Sequence, residues 1–287
     1  MSTEDLAANS PEHEESSDHP STTLPLKYSL RWAYLVSLLI LLLTAVASIT
    51  GILFPDRIYP SAAAQHAFLA NDVVNLFIGL PILLLSMWLA RREKLIGLLF
   101  WPGAIFYGLY NYLVYLFGVP LTVLYPLYLL IVTLSIYTII GLVATIDGEA
   151  VKERLDGSVP RRLAGGIILG FGTLFALRAI AVMAGALANQ TPIAGPELGL
   201  LVADFIFSGA LVIGGILLWR RQALGYVGGT GLLFQASMLF IGLIAVLILQ
   251  PFLSGTPFRP MDVIVVFAMG LICFIPFLLF ARGVVRS

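Results

Sequence analysis

Long apolar runs alternate along the chain with short polar clusters that carry Arg, Lys, Asp or Pro. Crossing the roughly 30 Å hydrocarbon core of a bilayer takes about 20 residues of helix. Runs of that length fall at about 30–54, 70–90, 95–117, 121–146, 163–187, 198–219, 224–250 and 261–283. The pattern predicts an all-α polytopic membrane bundle of eight transmembrane helices. The third and fourth runs are separated only by "GVP", residues 118–120, which makes them a tight hairpin. Pro81, Pro102, Pro126 and Pro276 fall within runs, where membrane helices tolerate the kinks they introduce.

Residues 1–26 break this pattern. They hold six acidic residues, no Lys or Arg, and several Ser, Thr and Pro, a composition that buries too little apolar surface to offset its ordering entropy. The expectation is a disordered acidic cytoplasmic tail that can engage a cytoplasmic partner. The tail is too acidic for the basic start of a signal peptide, so the first run is expected to be retained as a membrane helix.

Lys and Arg gather in cytoplasmic loops, which sets the orientation. Lys27 and Arg31 flank the first run; Arg91, Arg92 and Lys94 follow the second; Lys152, Arg154, Arg161 and Arg162 follow the fourth; Arg220 and Arg221 follow the sixth; Arg282 and Arg286 close the chain. The alternate loops hold only Arg57 and Arg259. Both termini are therefore expected in the cytoplasm.

A weak internal repeat accompanies this order. "DVVNLFIGLPILLLSMWLARREKLIG" from Asp72 and "DFIFSGALVIGGILLWRRQALG" from Asp204 share an Asp, an apolar run, a Trp, an Arg pair and a Gly. Arg31 corresponds to Arg162, and "FY" at 106–107 to "FQ" at 234–235. Two tandem four-helix repeats in parallel orientation follow: 27–146 and 163–287, joined by a cytoplasmic connector at 147–162. Some transporters are built from parallel repeats of this kind.

Polar groups inside the runs narrow where a function can sit, because such groups are expensive against lipid and turn to the bundle interior. Arg178 lies well inside the fifth run and calls for a carboxylate partner, Asp204 or Asp72. Asp72 precedes Arg91 by 19 residues, Asp204 precedes Arg220 by 16 and Asn111 follows Lys94 by 17. At about 1.5 Å per residue all three come to roughly 24–29 Å from the cytoplasmic ends. Asp72, Asn75, Gly79 and Ser86 share a face of the second helix, and Asp204, Ser208 and Gly215 a face of the sixth.

The segment "FYGLYNYLVY" at 106–115 is the densest polar stretch within a run, and seven of the eleven tyrosines lie between 107 and 137. Tyr107, Asn111 and Tyr115 form a stripe at four-residue spacing, with Tyr125 and Tyr128 across the hairpin. Tyr110 and Tyr112 are expected in packing or interface roles, and Tyr112 and Tyr115 also fit an aromatic belt. The ligand-binding candidates are thus Arg178, Asp72, Asp204, Asn111, Tyr107 and Asn75.

Composition bounds the chemistry. The 287 residues are 59% hydrophobic and 11% charged with zero formal net charge, so attraction to nucleic acid has no support. The three histidines, His13, His19 and His66, lie outside the runs, and Cys273 is a single cysteine. No zinc spacing, phosphate-binding loop, catalytic triad or acidic metal cluster is present, so no catalytic residue, metal or cofactor is expected. The glycines of "GGIILGFG" at 165–172 read as a close-packing surface. Asp262 beside Pro260 reads as a helix cap, His66 as a solvated loop residue.

The stretch "WPGAIFYGLYNYLVYLFG" with "LYLLIVTLSIYTIIGL", preceded by "WLARR", resembles a recurring type of uncharacterised bacterial multi-pass membrane protein with an F-Y-x-L-Y-N-Y-like segment. The likeness spans about the second to fourth helices. It implies a bacterial cytoplasmic-membrane location and no particular activity. The functional expectation is binding or transport of a small polar or ionisable solute through an outer-leaflet cavity. The alternative is a non-catalytic membrane subunit or sensor whose intramembrane polar groups are structural. Oligomeric state is not legible.

Overall fold

The computed structural model describes residues 24–255 and 257–286. These residues are helical apart from short turns. They form α1 (Arg31–Leu53), the one-turn α2 (Pro55–Ile58), α3 (Ala62–Val74), α4 (Leu80–Arg91), α5 (Leu95–Gly118), α6 (Tyr125–Thr145), α7 (Gly148–Leu155), α8 (Arg161–Ala188), α9 (Gly195–Trp219), α10 (Ala223–Ser254) and α11 (Pro260–Arg286). Among the described residues seven helices are long and apolar enough to cross a membrane, with α3 and α4 counted as one, Ala62–Arg91. Their outward faces carry exposed Leu, Ile and Phe, such as Leu35, Leu42, Leu177, Phe252 and Ile264. The protein is a multi-pass integral membrane protein in contact with the lipid bilayer.

The run expected at 95–117 forms α5, whose tyrosines, asparagine and tryptophan keep it from counting among the seven. The reason is its place. Of its 24 residues 17 are buried, and it packs against α4, α6, α9 and α10. A helix enclosed on all sides meets protein everywhere, so its composition answers to neighbouring helices, not to lipid. At its crossing with α10 the two backbones nearly touch. A Cβ added to Gly103 would stand 2.5 Å from the Gly231 carbonyl oxygen. Small residues permit such approaches, and in lipid it is packing of this kind that holds helices together.

The second helix starts earlier than expected. Residues 62–69 extend it by two turns, with the Ser61 hydroxyl accepting the Ala64 N–H at 3.1 Å as N-cap. His66 therefore stands on a helix, not in a loop, and its carbonyl accepts the Gln250 side-chain N–H at 2.8 Å. Between α3 and α4 the backbone widens into a π turn, Asn75–Gly79. Pro81 follows directly; it lacks an N–H and its ring crowds the carbonyl four residues back, and the wider turn accommodates both defects.

The turns before α5 and α10 are built alike. Glu93 and Arg221 both take positive φ, 57° and 58°. Four residues on from each, Gly97 and Gly225 lie against the ends of α4 and α9, where a Cβ would overlap Ala90 and Leu89, or Leu218 and Leu217. The helix neighbours also correspond: α5 meets α4 and α6 as α10 meets α9 and α11.

The connector is more structured than its charge suggests. Asp147 caps α7 through its side chain, and Val151 and Leu155 are buried against α10. The Tyr226 hydroxyl donates to Asp156 at 2.6 Å, and Arg161 stands 3.8 Å from the same carboxylate. Residues 1–23, most of the expected acidic tail, lie outside the described residues. Residues 25–27 run beside 145–147, with Lys27 N–H donating to Thr145 O at 2.8 Å and Asp147 N–H to Pro25 O at 2.9 Å. Asp262 falls in the first turn of α11 and is not its starting residue.

Candidate functional site

Three groups of polar side chains surround α5. The first centres on Asp204 of α9, whose side chain is 6% exposed. Its Oδ1 accepts the Tyr110 hydroxyl at 2.7 Å, and its Oδ2 accepts Nη1 of Arg178 at 2.7 Å. Sequence left Arg178 a choice of two carboxylates, and the structure pairs it with Asp204. Phe207, one turn beyond Asp204, fixes the tyrosine: its ring meets Tyr110 edge-on at 5.0 Å and stacks on Phe106 at 4.0 Å. The Arg178 side chain itself is 42% exposed beside this buried anion.

The second group encloses Asp72 of α3, which is 1% exposed. The Tyr59 hydroxyl donates to Oδ2 at 2.5 Å and the Tyr115 hydroxyl to Oδ1 at 2.8 Å. Asn71 Nδ2 donates in turn to the Tyr115 hydroxyl at 3.3 Å. Ser48 of α1 lies 3.4 Å from the Tyr112 hydroxyl, which also donates to the Thr44 carbonyl at 3.2 Å. Tyr128 of α6 packs its ring on Tyr112 and Tyr115 at 5.8 and 5.3 Å. Its hydroxyl is buried and has no hydrogen-bond partner. Gly51 makes the closure possible, because a Cβ there would overlap the Asp72 carboxylate and the Tyr59 hydroxyl.

The third group is smaller. Asn111 Nδ2 donates to the Tyr107 carbonyl at 3.2 Å within α5, while the Tyr107 ring reaches α10, where a Cβ on Gly242 would lie 2.5 Å from its hydroxyl. Gly79 in the π turn lets Tyr107 and Asn75 converge: a Cβ there would lie 3.5 Å from the tyrosine ring and 3.8 Å from Asn75 Oδ1. Asn75 Nδ2 is buried without a partner.

Six expected site residues are thus divided among three places. Arg178 and Asp204 meet, Tyr107 lies near Asn75 and bonds Asn111, and Asp72 stands apart with tyrosines. Tyr110 and Tyr115 are five residues apart, which turns them by about 140° around α5, so the two acids occupy different sides of that helix. The stripe Tyr107, Asn111, Tyr115 does not act as one wall. Tyr110 and Tyr112, expected in packing or interface roles, hold Asp204 and the Ser48–Thr44 edge of α1. Tyr112 and Tyr115 are buried and form no interfacial belt. Sequence reasoning also passed over Tyr59 and Gln235. The latter is fully buried on α10 with both amide atoms unpartnered; its place beside "FY" in the repeat was the available signal.

Elsewhere, an apolar groove of about 250 Å³ runs between α5, α6, α9 and α10, lined by Phe106, Ile139, Val143, Ile213, Leu217 and Leu232 among others. Among the described residues no three His, Cys, Asp or Glu side chains gather to hold a metal ion. No protein-family model, curated protein or solved structure matches the chain.

Proposed function

We propose that the protein binds or transports a small polar or ionisable solute at the Arg178–Asp204–Tyr110 group, with an acidic group of the solute facing Arg178. The observation that carries this reading is the exposure of Arg178. Arginine at the centre of a bilayer costs about 2.5–3.5 kcal/mol on insertion scales and more in simulations. Its partner is buried, yet the Arg178 side chain is 42% exposed on α8. Water or a polar occupant next to it removes that cost, and hydrocarbon does not. Tyr110 and Phe207 hold Asp204 in place, so the charge on Arg178 has a fixed position for recognition.

The reading includes eight transmembrane helices, with α5 as the central one, in two tandem halves joined by residues 147–162. The matched turns at Glu93 and Arg221, the matched glycines Gly97 and Gly225, and the Gly103–Gly231 crossing support a duplication. Both termini lie in the cytoplasm, on the side where Lys and Arg concentrate. The likeness of "WLARR" and "FYGLYNY" to bacterial multi-pass proteins supports the bacterial cytoplasmic membrane as the location.

The test is a melting screen of purified protein against a broad panel of small acidic and zwitterionic solutes. A solute that raises the melting temperature of wild type and has no effect on Arg178→Ala or Asp204→Ala supports the proposal. If both variants insert normally and no solute shifts wild type, the proposal loses its basis. A non-catalytic subunit is the second reading, favoured by the exposed surface of α8 from Ala181 to Ala188, which carries Ala and Gly suited to a partner helix. Recovery of stability in the charge swap Arg178→Asp/Asp204→Arg, with no solute effect on wild type, selects it.

A further inference from the structure

We propose that the Asp72 group is a binding site for one small monovalent cation taken from solution, a proton or an alkali ion, separate from the solute group at Arg178. A carboxylate moved into a low-dielectric interior needs an opposite charge, because its isolated burial is prohibitive. Asp204 has one in Arg178. Asp72, more deeply buried, has none among the described residues.

The groups facing Asp72 can be named helix by helix. Ser48 and Gly51 come from α1, Tyr59 from the segment after α2, Phe68 and Asn71 from α3, Tyr112 and Tyr115 from α5, and Tyr128 from α6. None is cationic. The charged residues on these elements, Arg31, Asp56 and Arg57, are exposed, as is Arg91 at the end of α4.

The shell also has the right atoms. Apart from the Asn71 amide it consists of oxygen: the carboxylate, the hydroxyls of Ser48, Tyr59, Tyr115 and Tyr128, and the Phe68 carbonyl, to which Tyr115 Oη lies at 3.3 Å. Hard cations take oxygen ligands, and one carboxylate balances one positive charge, so a divalent ion would leave an uncompensated charge in the bundle. The unpartnered Tyr128 hydroxyl is the second, independent observation. It is buried with no hydrogen bond of ordinary geometry and lies close to Tyr59 and Asp72, so it adds a hydroxyl oxygen to the shell. A proton fits the group as it stands. An alkali ion fits once the 2.5 Å contact between Tyr59 and Asp72 opens.

The experiment uses the full chain in lipid nanodiscs, with melting followed in two arms. Sodium chloride replaces choline chloride at fixed ionic strength and pH in one arm; pH is varied in choline chloride in the other. Asp72→Asn keeps the shape and removes the charge, and Tyr128→Phe removes only the free hydroxyl. If an alkali ion is the occupant, sodium raises the wild-type melting temperature saturably and does not affect Asp72→Asn. If it is the proton, wild type loses stability as pH rises while Asp72→Asn does not, and sodium has no effect. In either case Tyr128→Phe shifts the midpoint of the responsive titration several-fold, which keeps the test decisive should Asp72→Asn fail to fold. Wild type that responds to neither arm, or responds identically in Tyr128→Phe and in any folded Asp72→Asn protein, overturns the proposal. Loss of solute binding in Arg178→Ala leaves these outcomes unchanged, so the two proposals fail separately.

Discussion

Removing Arg178 should destabilise the protein more than neutralising its partner, and removing both should cost less than removing Arg178 alone. Arg178→Ala leaves the Asp204 carboxylate, 6% exposed, with Tyr110 as its remaining partner. Breaking a buried ion pair from one side costs about 3–5 kcal/mol. The 42% exposure of Arg178 means that part of the pair's strength is already screened, so roughly 2–3 kcal/mol is the appropriate loss. Asp204→Asn keeps an acceptor for Tyr110 and leaves a hydrated guanidinium, a loss of about 1 kcal/mol, typical of one weakened hydrogen bond. In Arg178→Ala/Asp204→Asn no charge is left buried, and the total should again be about 1 kcal/mol. The coupling is then roughly 2–3 kcal/mol, well outside the 0.3–0.5 kcal/mol scatter of independent sites. A double-mutant cycle read by reversible unfolding in mixed micelles or by steric trapping in bicelles measures it. Single losses that simply add would show that the carboxylate is not desolvated as described, and would refute the argument.

Three further outcomes follow from particular contacts. Gly51→Ala pushes a methyl group into the Asp72 carboxylate and the Tyr59 hydroxyl, an overpacking cost of about 1–3 kcal/mol; Gly108→Ala, with nothing within 4 Å of the added carbon, is its neutral control in the same melts. Gly103→Ala should cost more than Gly231→Ala, because the first Cβ stands 2.5 Å from backbone and the second 3.3 Å; equal losses in thermal stability would contradict the described crossing. The Tyr226 hydrogen bond, with Arg221, Arg161 and Lys152 nearby, holds the Asp156 carboxyl below the usual carboxylate range. A group depressed in the folded state contributes stability above its unfolded value, near 3.9, and loses it as pH falls through the lower folded value. Hydrogen-exchange protection factors at residues 156–161, relative to intrinsic rates at each pH, should therefore fall on acidification in wild type and change less in Asp156→Asn.

The positions of the helices were legible because lipid imposes one requirement on every outward face. α1, α6, α8, α9, α10 and α11 fall within a few residues of their apolar runs. Legibility fails where the surroundings are protein. Residues 62–69 were too short of apolar character to count toward a span, yet Ala64 and Phe68 are buried against other helices. On α5, four-residue spacing correctly grouped Tyr107, Asn111 and Tyr115 on a helix face. It could not say which face mattered, since a helix enclosed on all sides has several, and Tyr110 and Tyr115 serve different acids. On α7 the charges obscured the Val151–Leu155 pair that docks the connector. The pairing of Arg178 with Asp204 was half legible: a carboxylate was required, but only the packing of α8 on α9 chose which.

The central claim is that Arg178 faces a water-reachable place for a solute. It is tested most directly by labelling Arg178→Cys in intact membranes with a charged, membrane-impermeant thiol reagent. The one native cysteine, Cys273, is buried and gives a low background. The account predicts rapid labelling from the side opposite the Lys/Arg-rich helix ends. Labelling only by membrane-permeant apolar reagents, or none from either side, would place residue 178 against lipid or packed protein and contradict it.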